Sequence, residues 1–202
     1  MGILISYTDL RVRKDRFMRV IAGTARSIPL KTPDGMDTRP TQDRIKETLF
    51  NILMPDIPGC RFLDIFSGSG AIGIEAASRG AAEVVLIEKQ RKAAAVIRSN
   101  LKAAGVEDLC TLYTDDCYRL IPTFNKRSEP FDIIFMDPPY DHDYELKVLE
   151  LLKDNACADP YTTIIVEASL KTDLSCTEAM GYEITRIKKY KTNQHIFLRK
   201  SK

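Results

Sequence analysis

The sequence predicts an α/β fold, in which a doubly wound, mostly parallel sheet ends in an antiparallel hairpin. Three observations predict it. Between residues 61 and 167, short apolar runs alternate with helix-like segments, as in parallel strands joined by crossover helices. A glycine-rich turn at residues 67–73 follows the first of these runs. Two strand-like runs, Tyr182–Tyr190 and His195–Arg199, close the chain, and the four residues between them are too few for a crossover helix.

Two elements are predicted ahead of the sheet. Val20–Ala22 and Ser27–Leu30, separated by the turn Gly23–Arg26, are typical of a short hairpin. Apolar residues at helical spacing predict an amphipathic helix over Gln42–Leu53, with Thr41 as its N-cap.

The remaining elements alternate. Nearly continuous apolar runs of buried-strand type lie at residues 62–66 and 84–87, and further strands are predicted at 109–114, 133–136 and 162–167. Helix patterns lie between them at residues 70–79, 90–104, near Tyr118, and at 144–155. We therefore expect a charged, flexible leader at residues 1–17, an N-terminal extension of hairpin and helix at 18–59, and the main α/β domain at 60–202.

Composition restricts the class of protein. A chain of 202 residues that is 44% apolar and 29% charged is typical of one ordered globular domain. No apolar run approaches the ~20 residues of a membrane span, and the first ten residues lack the features of a secretion signal, so a cytoplasmic location is expected. The five cysteines are scattered and the two histidines lie far apart, so neither disulfides nor a metal site is expected.

Charge is segregated along the chain. The formal net charge is +3 over residues 1–59, −7 over 60–181 and +6 over 182–202. Seven basic residues and one acidic residue fall within residues 11–31. Such a cluster suits a polyanion such as nucleic acid, although a solvated face is the alternative that charge alone leaves open.

The glycine turn is predicted to hold a ligand. Gly68, Gly70 and Gly73 have the spacing of a dinucleotide-binding turn, and Glu88 ends the next strand, where an acid can bind a ribose diol. Taken alone, this pattern fits a nicotinamide or flavin dinucleotide, S-adenosylmethionine, or glycines needed only for packing.

Other strand-end carboxylates favour S-adenosylmethionine. Asp64 precedes the turn, where it suits the ammonium group of a methionine moiety better than a pyrophosphate, unless it only caps the turn. Asp116, in preference to its neighbour Asp115, is placed to accept a hydrogen bond from the adenine amine.

The fourth strand ends in Asp137-Pro138-Pro139-Tyr140, on the ligand-binding edge of the sheet. An exocyclic amine on a base is a poor nucleophile because its lone pair is delocalised into the ring. If the Asp137 carboxylate and the Pro138 carbonyl accept its N–H bonds, the nitrogen is oriented for methyl transfer, and Tyr140 can stack on the flipped base. A rigid strand exit is the alternative.

These motifs, taken together, resemble a known family. They are Thr38-Arg-Pro-Thr41, Arg44-x-Lys-Glu-x-Leu-Phe-Asn51, Asp64-Ile-Phe-Ser-Gly-Ser-Gly70, Gly73, Glu75-Ala, Ser78-Arg-Gly80, Glu88-Lys89 and Asp137-Pro-Pro-Tyr140. From Met18 to about Lys200 the chain resembles the RsmD family of bacterial 16S ribosomal RNA guanine-N2 methyltransferases. It departs from the family pattern in its leader and at Ser67, where alanine is common.

The resemblance implies a class I methyltransferase fold, which is Rossmann-like with a seven-stranded sheet, S-adenosylmethionine as cofactor and a guanine amine as acceptor. It also implies that Arg39 and Thr41 help to close the cofactor pocket. The full predicted cofactor set is Asp64, Ser67, Gly68, Ser69, Gly70, Glu88, Asp116, Cys117, Arg39 and Thr41. The catalytic set is Asp137, Pro138 and Tyr140.

The basic hairpin is then expected to cover the pocket mouth and to bind ribosomal RNA through Arg19, Arg26 and Lys31, with Lys188, Lys189 and Lys191 extending that surface. The expected partner is small-subunit ribosomal RNA, free or in an assembling particle, bound by a monomer. Three other interpretations remain: an adenine-N6 methyltransferase, a nicotinamide-dependent oxidoreductase, and a non-catalytic RNA-binding module.

Overall fold

The computed structural model describes residues 18–33, 40–139 and 143–201. Its centre is a seven-stranded sheet. The strands are β3 (Arg61–Ile65), β4 (Glu83–Ile87), β5 (Cys110–Tyr113), β6 (Ile133–Met136), β7 (Thr163–Ser169), β8 (Tyr182–Lys189) and β9 (Asn193–Lys200). Their order is β5-β4-β3-β6-β7-β9-β8; the first five are parallel, and β9 runs antiparallel to both β7 and β8. The predicted fold class is confirmed.

Helices cover both faces of the sheet. They are α1 (Pro40–Leu53), α2 (Ala71–Ser78), α3 (Arg91–Ala104), α4 (Cys117–Leu120) and α5 (Tyr144–Lys153). Apolar residues of α1, α2 and α3 pack on one face, and those of α4, α5 and the 3-10 turn at residues 121–126 pack on the other. Both faces of the inner parallel strands β3, β4 and β6 are therefore buried, which explains their continuous apolar runs, whereas β5 at the edge of the sheet is partly exposed.

Two predictions about the N-terminal elements are wrong in detail. Helix α1 begins at Pro40, so Thr41 lies within its first turn and is not the N-cap. Proline favours the first helical position because its φ is already helical and its missing N–H would have no partner there.

The N-terminal hairpin is antiparallel as predicted, but its paired strands are only β1 (Met18–Arg19) and β2 (Pro29–Leu30). The ladder ends early because the amides of Ile21 and Ala22 donate to the carboxylate of Glu75, at 2.8 and 3.0 Å, instead of to a strand.

A buried charge cluster, which we call the Glu75 cluster, attaches the hairpin to α1 and α2. Glu75 is fully buried, and its carboxylate contacts Lys46 Nζ at 3.2 Å and Arg79 Nε at 2.7 Å as well as the two hairpin amides. Lys46 also donates to the carbonyl of Arg19 at 2.6 Å. Burial lowers the pKa of Lys46, although the neighbouring carboxylate opposes that effect.

Within the described ranges, no helix is long and apolar enough to cross a membrane.

Candidate active site

A cleft of about 400 Å³ opens at the carboxyl ends of β3, β4, β5 and β6. Strand β3 lies between β4 and β6, so the chain crosses from one side of the sheet to the other at this point, which is where open α/β sheets bind ligands. The volume is in the range of small-molecule sites. The lining residues are Phe66, Gly68, Ile87, Glu88, Lys89, Gln90, Asp115, Asp116, Cys117, Tyr118, Asp137, Pro138, Pro139 and Tyr144.

The charge of this lining is negative. Four carboxylates face one ammonium group, that of Lys89, among the described lining residues. The amide of Asp116, followed by the salt bridge with Arg119, lowers the pKa of Asp115. The other three, Glu88, Asp116 and Asp137, have no basic partner in the described chain. The cleft therefore favours a ligand that carries positive charge.

The amides of the glycine turn are already engaged. Gly68 N donates to Glu88 Oε2 at 2.9 Å, and Gly70 N donates to the carbonyl of Ser67 at 2.7 Å. Gly73 N donates to Asp64 Oδ2 at 3.0 Å. A dinucleotide pyrophosphate needs such amides as donors, so their internal use disfavours that ligand.

Asp64 lies beneath the turn and does not line the cleft. It is 1% exposed, and burial raises the pKa of Asp64 to about 7, against the effect of the Gly73 hydrogen bond. A Cβ at Gly73 would stand 2.9 Å from Leu86 and 3.2 Å from the Asp64 carboxylate, so this glycine is required for helix–strand packing. The capping role that the sequence left open for Asp64 is present, and its contact with an ammonium group stays a prediction.

Ser67, Ser69 and Gly70 also lie outside the cleft lining. Ser67 Oγ donates to the carbonyl of Asp64 at 2.7 Å and accepts from the amide of Ile87 at 3.1 Å, which ties β3 to β4. The carbonyl of Ser69 accepts from buried Asn100 at 2.9 Å. These residues shape the turn in the structure, and their predicted contact with the cofactor is untested.

Glu88, Asp116 and Cys117 do line the cleft, as does Gly68. Both Glu88 oxygens accept backbone amides, those of Gly68 and Gln90. Asp116 Oδ1 caps α4 by accepting from the amide of Tyr118 at 2.9 Å, and its Oδ2 makes no hydrogen bond within the described residues. Burial raises the pKa of the Cys117 thiol to about 12, so it remains neutral.

The predicted catalytic residues share this cleft as far as the structure describes them. Asp137 follows β6 with its side chain exposed to the cleft, and Pro138 is buried beside it. Desolvation by the surrounding protein, followed by the carboxylates of Glu167 and Asp64, raises the pKa of Asp137 well above its ordinary value. Tyr140, Arg39 and the side chain of Thr41 lie outside the described residues.

Sequence reasoning missed the aromatic part of the lining. Phe66, Tyr118 and Tyr144 stand together, with the Tyr144 ring 6.4 Å from Phe66 and 6.3 Å from Tyr118. Phe66 has a φ of +62°, a strained conformation for an aromatic residue. The sequence feature that could have indicated this aromatic lining is Phe66, directly before the glycine turn.

It also missed a polar cluster at the end of β7, formed by Glu167, Tyr190, Asn193 and His195. The sequence feature that could have indicated this cluster is Glu167, an acidic residue directly after the apolar run of β7.

The predicted RNA-binding residues are on the N-terminal hairpin. Arg19, Arg26 and Lys31 are all exposed; Arg19 Nε lies 3.8 Å from Asp43, and Lys31 Nζ is 3.1 Å from Ser99 Oγ. None of them lines the cleft. The hairpin, which was expected at the cleft mouth, packs on α2 and α3 instead, with Asn100 bonded to the backbone of Lys31.

Comparison with known proteins places the chain in a family. It is 34% identical over 181 residues to "Putative rRNA methyltransferase YlbH" of Bacillus subtilis, which covers 86% of this chain and 98% of the relative. It is 35% identical over 162 residues to "Ribosomal RNA small subunit methyltransferase D" of Escherichia coli, which covers 80% of each chain. Among solved structures, "Putative methyltransferase yhhF from Escherichia coli" superposes with a TM-score of 0.78 at 31% identity, covering 91% of this chain and 98% of that one.

The family model described as "Conserved hypothetical protein 95" matches residues 18–199. The chain therefore belongs to this family, the RsmD family that its motifs resemble.

Proposed function

We propose that this chain transfers a methyl group from S-adenosylmethionine to the exocyclic N2 of a guanine in small-subunit ribosomal RNA. The enzyme class and the cofactor follow from family membership, and the substrate follows from the names of the relatives. One observation carries the proposal: Asp137-Pro138 opens into the same acidic cleft as Gly68, Glu88 and Asp116.

The residues present fit S-adenosylmethionine. This cofactor supplies an electrophilic methyl group on a positively charged sulfur, which suits a cleft with excess carboxylates. Glu88 would accept hydrogen bonds from the ribose hydroxyls through the lone pairs that its two amide bonds leave unused, and Asp116 Oδ2 would accept one from the adenine amine. Asp64, beneath the turn, would attract the ammonium end through its charge and not by direct contact. Ser67, Ser69, Gly70 and Cys117 shape the walls, and Arg39 and Thr41 close the pocket.

Asp137 and Pro138 orient the acceptor. The carboxylate of Asp137 and the carbonyl of Pro138 accept the two N–H bonds of the amine, and the following proline limits the movement of this backbone. Positive charge that develops on the nitrogen is then stabilised where it appears. Tyr140 stacks on the base.

Asp137 also accepts the proton that the nitrogen loses. Its raised pKa makes it a stronger base than an ordinary carboxylate. The pKa of Asp64 is raised as well, but Asp64 is sealed beneath the turn and cannot reach the acceptor amine.

The proposal extends to the partner and the location. The exposed hairpin residues Arg19, Arg26 and Lys31 hold RNA phosphates, and the protein acts as a cytoplasmic monomer on free RNA or on an assembling ribosomal particle.

The test has two parts. S-adenosylhomocysteine, and not NAD, is expected to raise the melting temperature of the protein. Asp137→Asn is expected to lower methyl transfer to ribosomal RNA at least 100-fold while that thermal shift remains, because it removes the negative charge and the base although the amide oxygen can still accept a hydrogen bond. Asp108→Asn, at an exposed carboxylate, is the matched control.

Full activity of Asp137→Asn would contradict the mechanism. Stabilisation by NAD alone would contradict the cofactor, and methylated adenine in place of N2-methylguanine in digested RNA would contradict the acceptor.

A further inference from the structure

We infer that Glu167 reads the N1 position of the target base and thereby selects guanine over adenine. This inference rests on the proposed function and adds to it a residue that determines base specificity, on a strand other than the one that carries Asp137.

Register places Glu167 beside Asp137. Met136 on β6 pairs with Val166 on β7, so Asp137 and Glu167 are the next residues on neighbouring parallel strands, which lie about 4.8 Å apart. Their closeness is also seen in the effect of the Glu167 carboxylate on Asp137, whose pKa it helps to raise. Two carboxylates therefore stand next to each other at the carboxyl edge of the sheet.

A chain of hydrogen bonds fixes the Glu167 carboxylate. Asn193 Nδ2 donates to Oε1, and His195 Nε2 lies 3.1 Å from Oε2. Because the carboxylate can only accept, Nε2 donates to it, which leaves Nδ1 to accept from the hydroxyl of Tyr190 at 3.0 Å. Burial and the Glu167 charge raise the pKa of Tyr190 to about 12, so its hydroxyl keeps the proton that it donates. His195 is 1% exposed, so the surrounding side chains hold this chain of hydrogen bonds in place.

The cluster is not built for stability alone. No Lys or Arg within the described ranges pairs with Glu167 or Asp137, so neither carboxyl group has a lysine or arginine beside it. Asn193 turns its amide N–H towards Glu167 and leaves its own Oδ1 buried without a partner among the described residues. The side chain of Glu167 nevertheless stays 18% exposed, and each of its oxygens retains a lone pair.

The free lone pairs match one base edge. Guanine presents N1–H and the N2 amine side by side, which gives a continuous row of donors for Glu167 and Asp137. Adenine presents its amine beside an unprotonated N1, whose lone pair would face the Glu167 carboxylate. Sites that hydrogen-bond a specific N–H reject analogues that lack it, because the site's own polar group is left unpaired.

The experiment replaces the target guanine by 2-aminopurine in a ribosomal RNA fragment that the wild-type protein methylates. 2-Aminopurine keeps the 2-amino group, but its N1 is an acceptor. Wild type is expected to prefer guanine at least tenfold in kcat/KM. Glu167→Gln, whose amide N–H can donate to the N1 lone pair of 2-aminopurine, is expected to reduce that preference at least fivefold. Glu183→Gln, an exposed carboxylate on β8, should keep the wild-type preference.

Each failure has a separate meaning. A wild-type protein that methylates no guanine contradicts the proposed function. A wild type that methylates both bases equally overturns the inference on Glu167 alone, even if Glu167→Gln does not fold. An unchanged preference in a folded Glu167→Gln, with a wild-type thermal shift on adding S-adenosylhomocysteine, overturns it as well.

Discussion

Two glutamates accept hydrogen bonds in different surroundings. Glu75 on α2 is fully buried and contacts two cations and two backbone amides. Glu167 on β7 is partly exposed, contacts an asparagine and a histidine, and lies beside another carboxylate. The first is paired with a lysine and an arginine, and the second has neither beside it within the described residues.

The difference separates a structural carboxylate from one suited to a ligand. A buried charge is tolerated when it is paired, and the Glu75 cluster uses that pairing to fix the hairpin on the helices. A carboxylate at a strand end without a cationic partner is unfavourable to folding. We interpret such a carboxylate as one that serves to bind a ligand. Asp64 and Asp137 share that property with Glu167, and all three lie near the carboxyl edge of the sheet.

The largest expected effect comes from breaking the Glu75 cluster. Glu75→Gln leaves Lys46 and Arg79 with an uncompensated buried charge, so the free energy of unfolding should fall by about 3–5 kcal/mol. Urea denaturation measures it, with the exposed Glu47→Gln on α1 as control. A loss below about 1 kcal/mol would remove the distinction between the two glutamates.

A second prediction sharpens the comparison through pH. The pKa of Asp64 is raised to about 7 in the folded protein from its ordinary value of 3.8, so the folded state binds the proton more tightly. Its contribution to stability is fully present below about pH 4 and is lost as the pH rises through about 7.

From pH 5 to pH 8, the unfolding free energy of the wild type should therefore fall by about 2–3 kcal/mol relative to that of Asp64→Asn, because the amide cannot ionise. Urea denaturation of both proteins, free of cofactor, at the two pH values measures this difference. An identical pH dependence would show that Asp64 is paired like Glu75. Asp108→Asn should show no such difference from the wild type.

The smallest effect on stability is expected on the exposed side of the hairpin. Arg19→Glu with Arg26→Glu should change the unfolding free energy by less than about 0.5 kcal/mol, since both side chains are exposed. RNA binding should weaken, and the slope of log affinity against log salt should become shallower by about 1.4 if each arginine contacts one phosphate. The control is the double variant Lys126→Glu with Lys171→Glu, at two exposed lysines outside the hairpin. If the hairpin variant binds RNA with the same affinity and salt slope as this control, the RNA-binding role of the hairpin is refuted.

Sequence patterns predicted the sheet well and the local details less well. The run Ile133–Met136 was predicted at its observed bounds, because a continuous apolar run of this length is too short for a buried helix and fits a buried strand. The N-cap at Thr41 and the extent of the hairpin were missed, because Pro40 and the distant Glu75 decided them. The polar cluster around Glu167 could not be predicted, because Asn193 and His195 on β9 lie 26 and 28 positions after Glu167 on β7.

The order of residues alone determined the alternation of strands and helices, the glycine turn and the presence of acids at strand ends, because each of these depends on near neighbours in the chain. Tertiary structure alone decided which acids are neutralised. Whether a carboxylate meets a lysine, a backbone amide or a second carboxylate depends on strand order and on the docking of the hairpin, which bring together groups far apart in the chain.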